Sequence, residues 1–266
     1  MCSPFDALPP DLPSSRTLPA IAGAAAAELV TLISADGTEF AAAVAESAAA
    51  NADTGIIVLP DARGLYPFYE RLAERFADAG HHALAIDYFG RTAGIGVRDD
   101  EFDFMPHLVE VEAPNVQAEI TAAIDELRTR TGATSFVTVG FCFGGSNSFL
   151  AATNGELGLA GAVGFYGGLD PAGFGMKIPS PVDLAPETKA PVLGLFGGGD
   201  PSIPQDRIDE FAQGLRSSAV DHEIHVYPDA PHSFFDRSYD EWQDACADAW
   251  NRVLDFIERV ASPVTA

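Results

Sequence analysis

Three side chains able to attack a carbonyl and pass a proton occur in the order Cys142, Asp200, His232. Each follows a short apolar run and so stands where a strand would end. Cys142 lies within Gly140-Phe141-Cys142-Phe143-Gly144, between the aromatic and β-branched run Phe136-Val137-Thr138-Val139 and a helix-compatible stretch, Ser146 to Ala152. So tight a strand-to-helix turn needs residues without a Cβ at Gly140 and Gly144. It would lift the thiol to the end of a strand with a helix N-terminus behind it. That placement favours a thiolate and offers backbone N–H groups to an oxyanion. Asp200 closes Gly197-Gly198-Gly199-Asp200, and His232 follows the last apolar run before the terminal helix. A thiol nucleophile needs a base for its proton, and a histidine base needs an acid to hold its tautomer. All three parts are present. The pentapeptide alone also fits a buried cysteine in a glycine-rich turn, so the case rests on agreement at three places.

The surrounding chain supplies the elements such a site requires. Glu28 to Ile33 and Glu39 to Ala45 flank Asp36-Gly37 and predict an antiparallel hairpin. Continuous apolar runs at Gly55–Leu59, His82–Ile86, Phe136–Val139, Ala160–Gly167, Pro191–Phe196 and Glu223–Tyr227 predict strands buried in a parallel sheet. Between them come helical stripes: Phe68, Leu72 and Phe76; Ile120, Ile124 and Leu127, with Asn115 as N-cap; Ile208, Phe211 and Leu215. A terminal helix from Tyr239 to Val260 should turn Trp242, Cys246, Ala249, Val253 and Ile257 inward. Cys246 then reads as a small buried hydrophobe. The segments 91–112 and 170–190 predict irregular loops. Residues 1–25, rich in Pro, Ser and Ala, read as an irregular N-terminal arm. Residues 26–262 read as one α/β domain, with a mostly parallel central sheet, helices on both faces and no separate cap domain.

Composition narrows the function. Among 266 residues, 39 acidic and 15 basic side chains leave a net charge of -24, which argues against nucleic acid and anionic membranes as partners. Three cysteines, far apart, form no fully paired disulfide framework and fit a reducing, cytoplasmic setting. No apolar run is long enough to span a bilayer. His81, His82, His107, His222 and His225 lie away from the three strand ends, and no histidine or cysteine pair has metal-ligand spacing, so neither metal nor cofactor is expected.

Strand, G-x-nucleophile-x-G, helix, with the acid and histidine following in that order, is the nucleophile elbow and triad order of α/β-hydrolases, here with cysteine. The blocks Gly140-Phe141-Cys142-Phe143-Gly144-Gly145, Gly164-Phe165-Tyr166-Gly167, Gly197-Gly198-Gly199-Asp200 and His232-Ser233-Phe234 resemble those of the dienelactone hydrolase family over residues 28 to 260. The resemblance implies an α/β-hydrolase fold and a Cys142-His232-Asp200 triad that opens a lactone or ester through a thioester. The oxyanion would be held by the backbone N–H groups of Phe143 and Ala62. It also implies a carboxylate after the third strand that modulates the nucleophile. Asp61 stands there, where the family commonly has glutamate. Two arginines would grip a substrate carboxylate: Arg91 matches the first, Arg237 resembles the second with one extra residue before it, and Arg63 adds a cation near Asp61. The expected partner is a small ester or lactone, and the expected state a monomer or small homo-oligomer. Two alternatives stay open: a carboxylesterase for uncharged esters, and a non-catalytic scaffold that binds a small ligand.

Overall fold

The structure of the protein is a computed structural model that describes Pro9 and residues 26–261. Apart from Pro9, the expected N-terminal arm lies outside the described residues, and Cys2 with it.

Eight strands form one sheet: β1 (Glu28–Ile33), β2 (Glu39–Ala45), β3 (Thr54–Leu59), β4 (His82–Ile86), β5 (Ser135–Phe141), β6 (Gly161–Phe165), β7 (Val192–Gly197) and β8 (His222–Tyr227). Their order is β1-β2-β4-β3-β5-β6-β7-β8. β1 and β2 form the antiparallel hairpin, β2 runs antiparallel to β4, and every later pairing is parallel. The hairpin turn closes from Ser34 to Thr38, with Gly37 at φ 86°. Every residue of β3, β4, β6 and β7 is buried, which is why these strands read as unbroken apolar runs rather than alternating ones.

Eight α-helices occur among the described residues: α1 (Pro67–Asp78), α2 (Gly90–Ala93), α3 (Met105–Leu108), α4 (Ala113–Thr131), α5 (Phe143–Ala151), α6 (Pro181–Leu184), α7 (Gln205–Ser218) and α8 (Gln243–Ala261). α1 and α8 cover one face of the sheet, where Phe76 and Trp250 meet with ring centres 4.9 Å apart. On the other face α4 and α5 bury Ile120, Ile124, Leu127, Leu150 and Ala151 with Ile57, Leu59, Leu84 and Ile86. α7 joins α5 through Phe149 and Phe211, 4.7 Å between centres. This is the α/β-hydrolase architecture expected.

Several boundaries differ from the sequence reading. α4 begins at Ala113 rather than after Asn115, because Pro114 sits in the first turn, where its missing N–H is harmless and its fixed φ already helical. α5 starts directly after Cys142, not at Ser146. The terminal helix begins at Gln243 after a separate 3-10 turn over Tyr239–Glu241; Trp242 is therefore only half-buried, and Trp250 takes the core position. The segments expected to be irregular contain the single helical turns α2, α3 and α6, two of them opened by proline. No helix of the described residues is long and apolar enough to cross a membrane.

Candidate active site

β5 delivers Cys142 at its carboxyl end with φ 52° and ψ −113°, a conformation that non-glycine residues seldom adopt. The surroundings impose it. The Cys142 N–H donates to Phe165 O at 3.0 Å, and the Ser146 N–H donates to Cys142 O at 3.1 Å. A Cβ on Gly140 would clash with Gly144 O, and one on Gly144 with Leu59 O and Pro60 O. Only glycine lets strand and helix approach so closely.

The other two residues converge from neighbouring strands. Asp200 follows β7, and its carboxylate accepts from the Ser202 N–H at 2.9 Å and the Ser202 hydroxyl at 2.6 Å through Oδ1. Its Oδ2 stands 2.6 Å from Nδ1 of His232, in the loop after β8. The Cys142 side chain is close enough to favour charge on the His232 ring. With Nδ1 on the aspartate, Nε2 is the nitrogen left for sulfur. Burial opposes charge on His232, but the bond to Asp200 and the nearby Cys142 sulfur prevail and raise its pKa to about 10. Burial likewise opposes charge on Asp200, yet the bonds from His232 and Ser202 hold its carboxyl below the usual range. The pair can carry a proton from sulfur and keep the imidazolium stable.

Phe143 is the first residue of α5, so its N–H has no intrahelical carbonyl to bond. In the turn after β3, the N–H groups of Asp61, Arg63 and Gly64 bond Tyr69 Oη, Asp61 Oδ1 and Asp61 O. The Ala62 N–H has no such partner among the described residues.

The charged residues sort differently. Asp61 is tied to the Arg63 guanidinium by bonds of 2.6 to 3.2 Å and accepts from Tyr66 Oη at 3.1 Å. Arg63 itself is 1% exposed and also bonds Tyr66. Arg91 pairs with Asp36 in the hairpin turn, donates to Thr38 at 2.6 Å and lies 3.3 Å from Glu119 on α4. That last contact lacks hydrogen-bond alignment. Arg237 is exposed.

Sequence reasoning missed the buried polar groups around this site. Asp236 accepts from Tyr166 Oη at 3.0 Å and from the Arg237 N–H. Burial first, then the charge of Asp61, pushes its carboxyl up to about 6. Asp236 lies between the histidine block and Arg237, where the spacing is one residue longer than the family's, the one signal near it. Beyond the site, Asp87 is bound by Arg98 at 2.8 Å, and Glu119 is 1% exposed. Among the described residues no cluster of three or more His, Cys, Asp or Glu is arranged to hold a metal ion.

A model of the dienelactone hydrolase family matches residues 40–261. The chain belongs to that family. A Salmonella typhimurium protein named "Putative carboxymethylenebutenolidase" is 33% identical over 208 residues, covering 76% of this chain and 75% of its own. The carboxymethylenebutenolidase of Rhodococcus opacus is 30% identical over 229 residues, 79% of this chain and 84% of that one. A Klebsiella pneumoniae crystal structure described as a "Putative Dienelactone Hydrolase" superposes with a TM-score of 0.72 at 28% identity, covering 87% of this chain and 99% of its own. This family member is a hydrolase of the dienelactone hydrolase type.

Proposed function

We propose that the protein opens an ester or lactone through a thioester on Cys142. The observation that carries this reading is His232, bonded to Asp200 at 2.6 Å through Nδ1 and held in its charged form by Asp200 and the nearby Cys142 together. The thiolate adds to the carbonyl carbon, and the oxyanion takes the N–H groups of Phe143 and Ala62. Collapse breaks the acyl C–O bond, and the imidazolium gives its proton to the departing oxygen, which stays tethered when the substrate is a lactone. His232 then accepts a proton from water as it attacks the thioester, and the released sulfur restores the resting pair. Asp200 orients the ring throughout.

The relatives' name points to a carboxylate-bearing lactone, and Arg237, exposed and five residues past His232, is the cation proposed to meet one. A second reading, uncharged esters, is favoured by a specific observation: Arg63 and Arg91 are already paired with the carboxylates of Asp61 and Asp36. Asp61, held by Arg63, would then tune the site through charge rather than by contact with sulfur. The deciding experiment is hydrolysis of a dienelactone beside p-nitrophenyl acetate by wild type, Cys142→Ala, Arg91→Ala and Arg237→Ala. Full activity in Cys142→Ala would remove the assigned nucleophile. A preference for the charged substrate that disappears with Arg237 or Arg91 supports the lactone; no such preference supports the simple ester.

A further inference from the structure

Tyr166 stands one residue beyond β6 with φ 37°, in the left-handed region that a bulky aromatic occupies only when its surroundings demand it. Its N–H donates to Leu195 O at 2.7 Å, and the carbonyl just before it, Phe165 O, anchors the Cys142 N–H. The Tyr166 ring lies 5.1 Å from the His232 ring and 5.6 Å from Phe234. Its hydroxyl reaches Asp236, 70 residues away in sequence and buried. Asp236 belongs to the loop that carries His232. That loop is pinned by the fully buried rings of Phe234 and Phe235, passes through Ser233 at φ 59°, and closes with the Ser238 N–H on Ser233 O. A buried carboxylate and a strained tyrosine that the proposed chemistry does not consume thus meet beside the histidine.

We infer that the Tyr166–Asp236 hydrogen bond is a positioning device, tying the strand end that anchors Cys142 to the loop of His232 and holding the imidazole within reach of the thiol. The inference rests on the Cys142-His232 reading above. Neither residue exchanges a proton with substrate; both act through His232. The bond is well suited to this task. It is shielded from water, it spans the two segments whose spacing sets the sulfur–imidazole distance, and both of its ends are fixed by further bonds, Tyr166 through its N–H and Asp236 through the Arg237 N–H.

The test uses the full-length protein with Tyr166→Phe, Asp236→Ala, Asp236→Asn and Cys142→Ala, each checked for folding by circular dichroism. Turnover of p-nitrophenyl acetate gives kcat and KM. Alkylation by iodoacetamide across pH, corrected by the Cys142→Ala background, reports the thiolate of Cys142. In Tyr166→Phe and Asp236→Ala, kcat is expected to fall about 10- to 100-fold with KM within about twofold. Their alkylation at neutral pH should slow about 10-fold or more, since a displaced imidazole no longer takes the proton from sulfur. Asp236→Asn keeps an oxygen for the Arg237 N–H and an amide donor for Tyr166 Oη, so it should return kcat to within about threefold of wild type. A folded Tyr166→Phe with wild-type kcat and alkylation rate overturns the proposal, and so does a loss confined to KM. If Asp236→Ala does not fold, Tyr166→Phe and Asp236→Asn decide the matter. Full activity in Cys142→Ala sinks the triad reading and this proposal with it, whereas an inactive Cys142→Ala beside a fully active Tyr166→Phe sinks this proposal alone.

Discussion

Cys142 is held at φ 52° by backbone that has no room to relax, so the strain is a property of its neighbours rather than of the cysteine. Gly144→Ala is expected to lower stability by about 1–3 kcal/mol or more through overpacking against Leu59 O. Its thermal midpoint should drop by roughly 2–12 °C. A variant that expresses normally with an unchanged midpoint would contradict the crowding. His232 gives a signed pH prediction. Its folded pKa, about 10, lies above the ordinary value of 6.5, so the folded state holds its proton more tightly. The stability this contributes is full below about pH 6.5 and is lost as pH rises through 10. Melting wild type and Asp200→Asn across that window should show the wild-type advantage shrinking toward alkaline pH; a constant gap would refute the linkage.

At the scale of elements, α8 is fastened to α1 by one aromatic contact, Phe76 on Trp250, inside a dry face of the sheet. Trp250→Ala should cost about 3–5 kcal/mol, read as a lower guanidinium midpoint at unchanged slope. Trp242→Ala, half-buried before the helix begins, should cost clearly less. α4 carries a different liability. Burial, above all, keeps Glu119 protonated, with Asp87 and Asp36 adding to the shift and Arg91 opposing it, so that its pKa reaches about 8. For an acid raised in this way the folded state binds the extra proton, and stability falls as pH rises from about 4.5 through 8. Glu119→Gln removes that slope. Its melting temperature relative to wild type should climb between those values, and parallel curves would show that Glu119 does not titrate there.

For the whole molecule, the net charge of -24 sets a long-range field that repels anions, against which Arg237 is a local exception. If a carboxylate-bearing substrate is turned over, kcat/KM should rise roughly two- to fivefold as salt is raised from about 10 to about 150 mM, because screening weakens the repulsion. A neutral ester of the same acyl group should show no change. Equal salt responses would mean that the overall charge does not reach the site.

Much of this was legible in the sequence, for reasons that can be named. Strands buried on both faces must be continuously apolar, so β3 to β7 announced themselves. The glycines around Cys142 record a close approach that no other residue permits, and the order Cys142, Asp200, His232 records which strand ends they occupy. Helix starts were less secure, because Pro114 overrode the capping signal at Asn115 and the backbone turn at Cys142 opens α5 before Ser146. What the sequence could not show was which charges meet. Arg91, Asp36 and Glu119 lie on different elements, and their meeting depends on where the sheet order sets the β1–β2 hairpin, α2 and α4 side by side. The Tyr166–Asp236 bond likewise joins residues 70 apart. Local patterning determines elements because it acts through neighbours in the chain; ion pairing and buried hydrogen bonds act through space, and only the tertiary structure decided them.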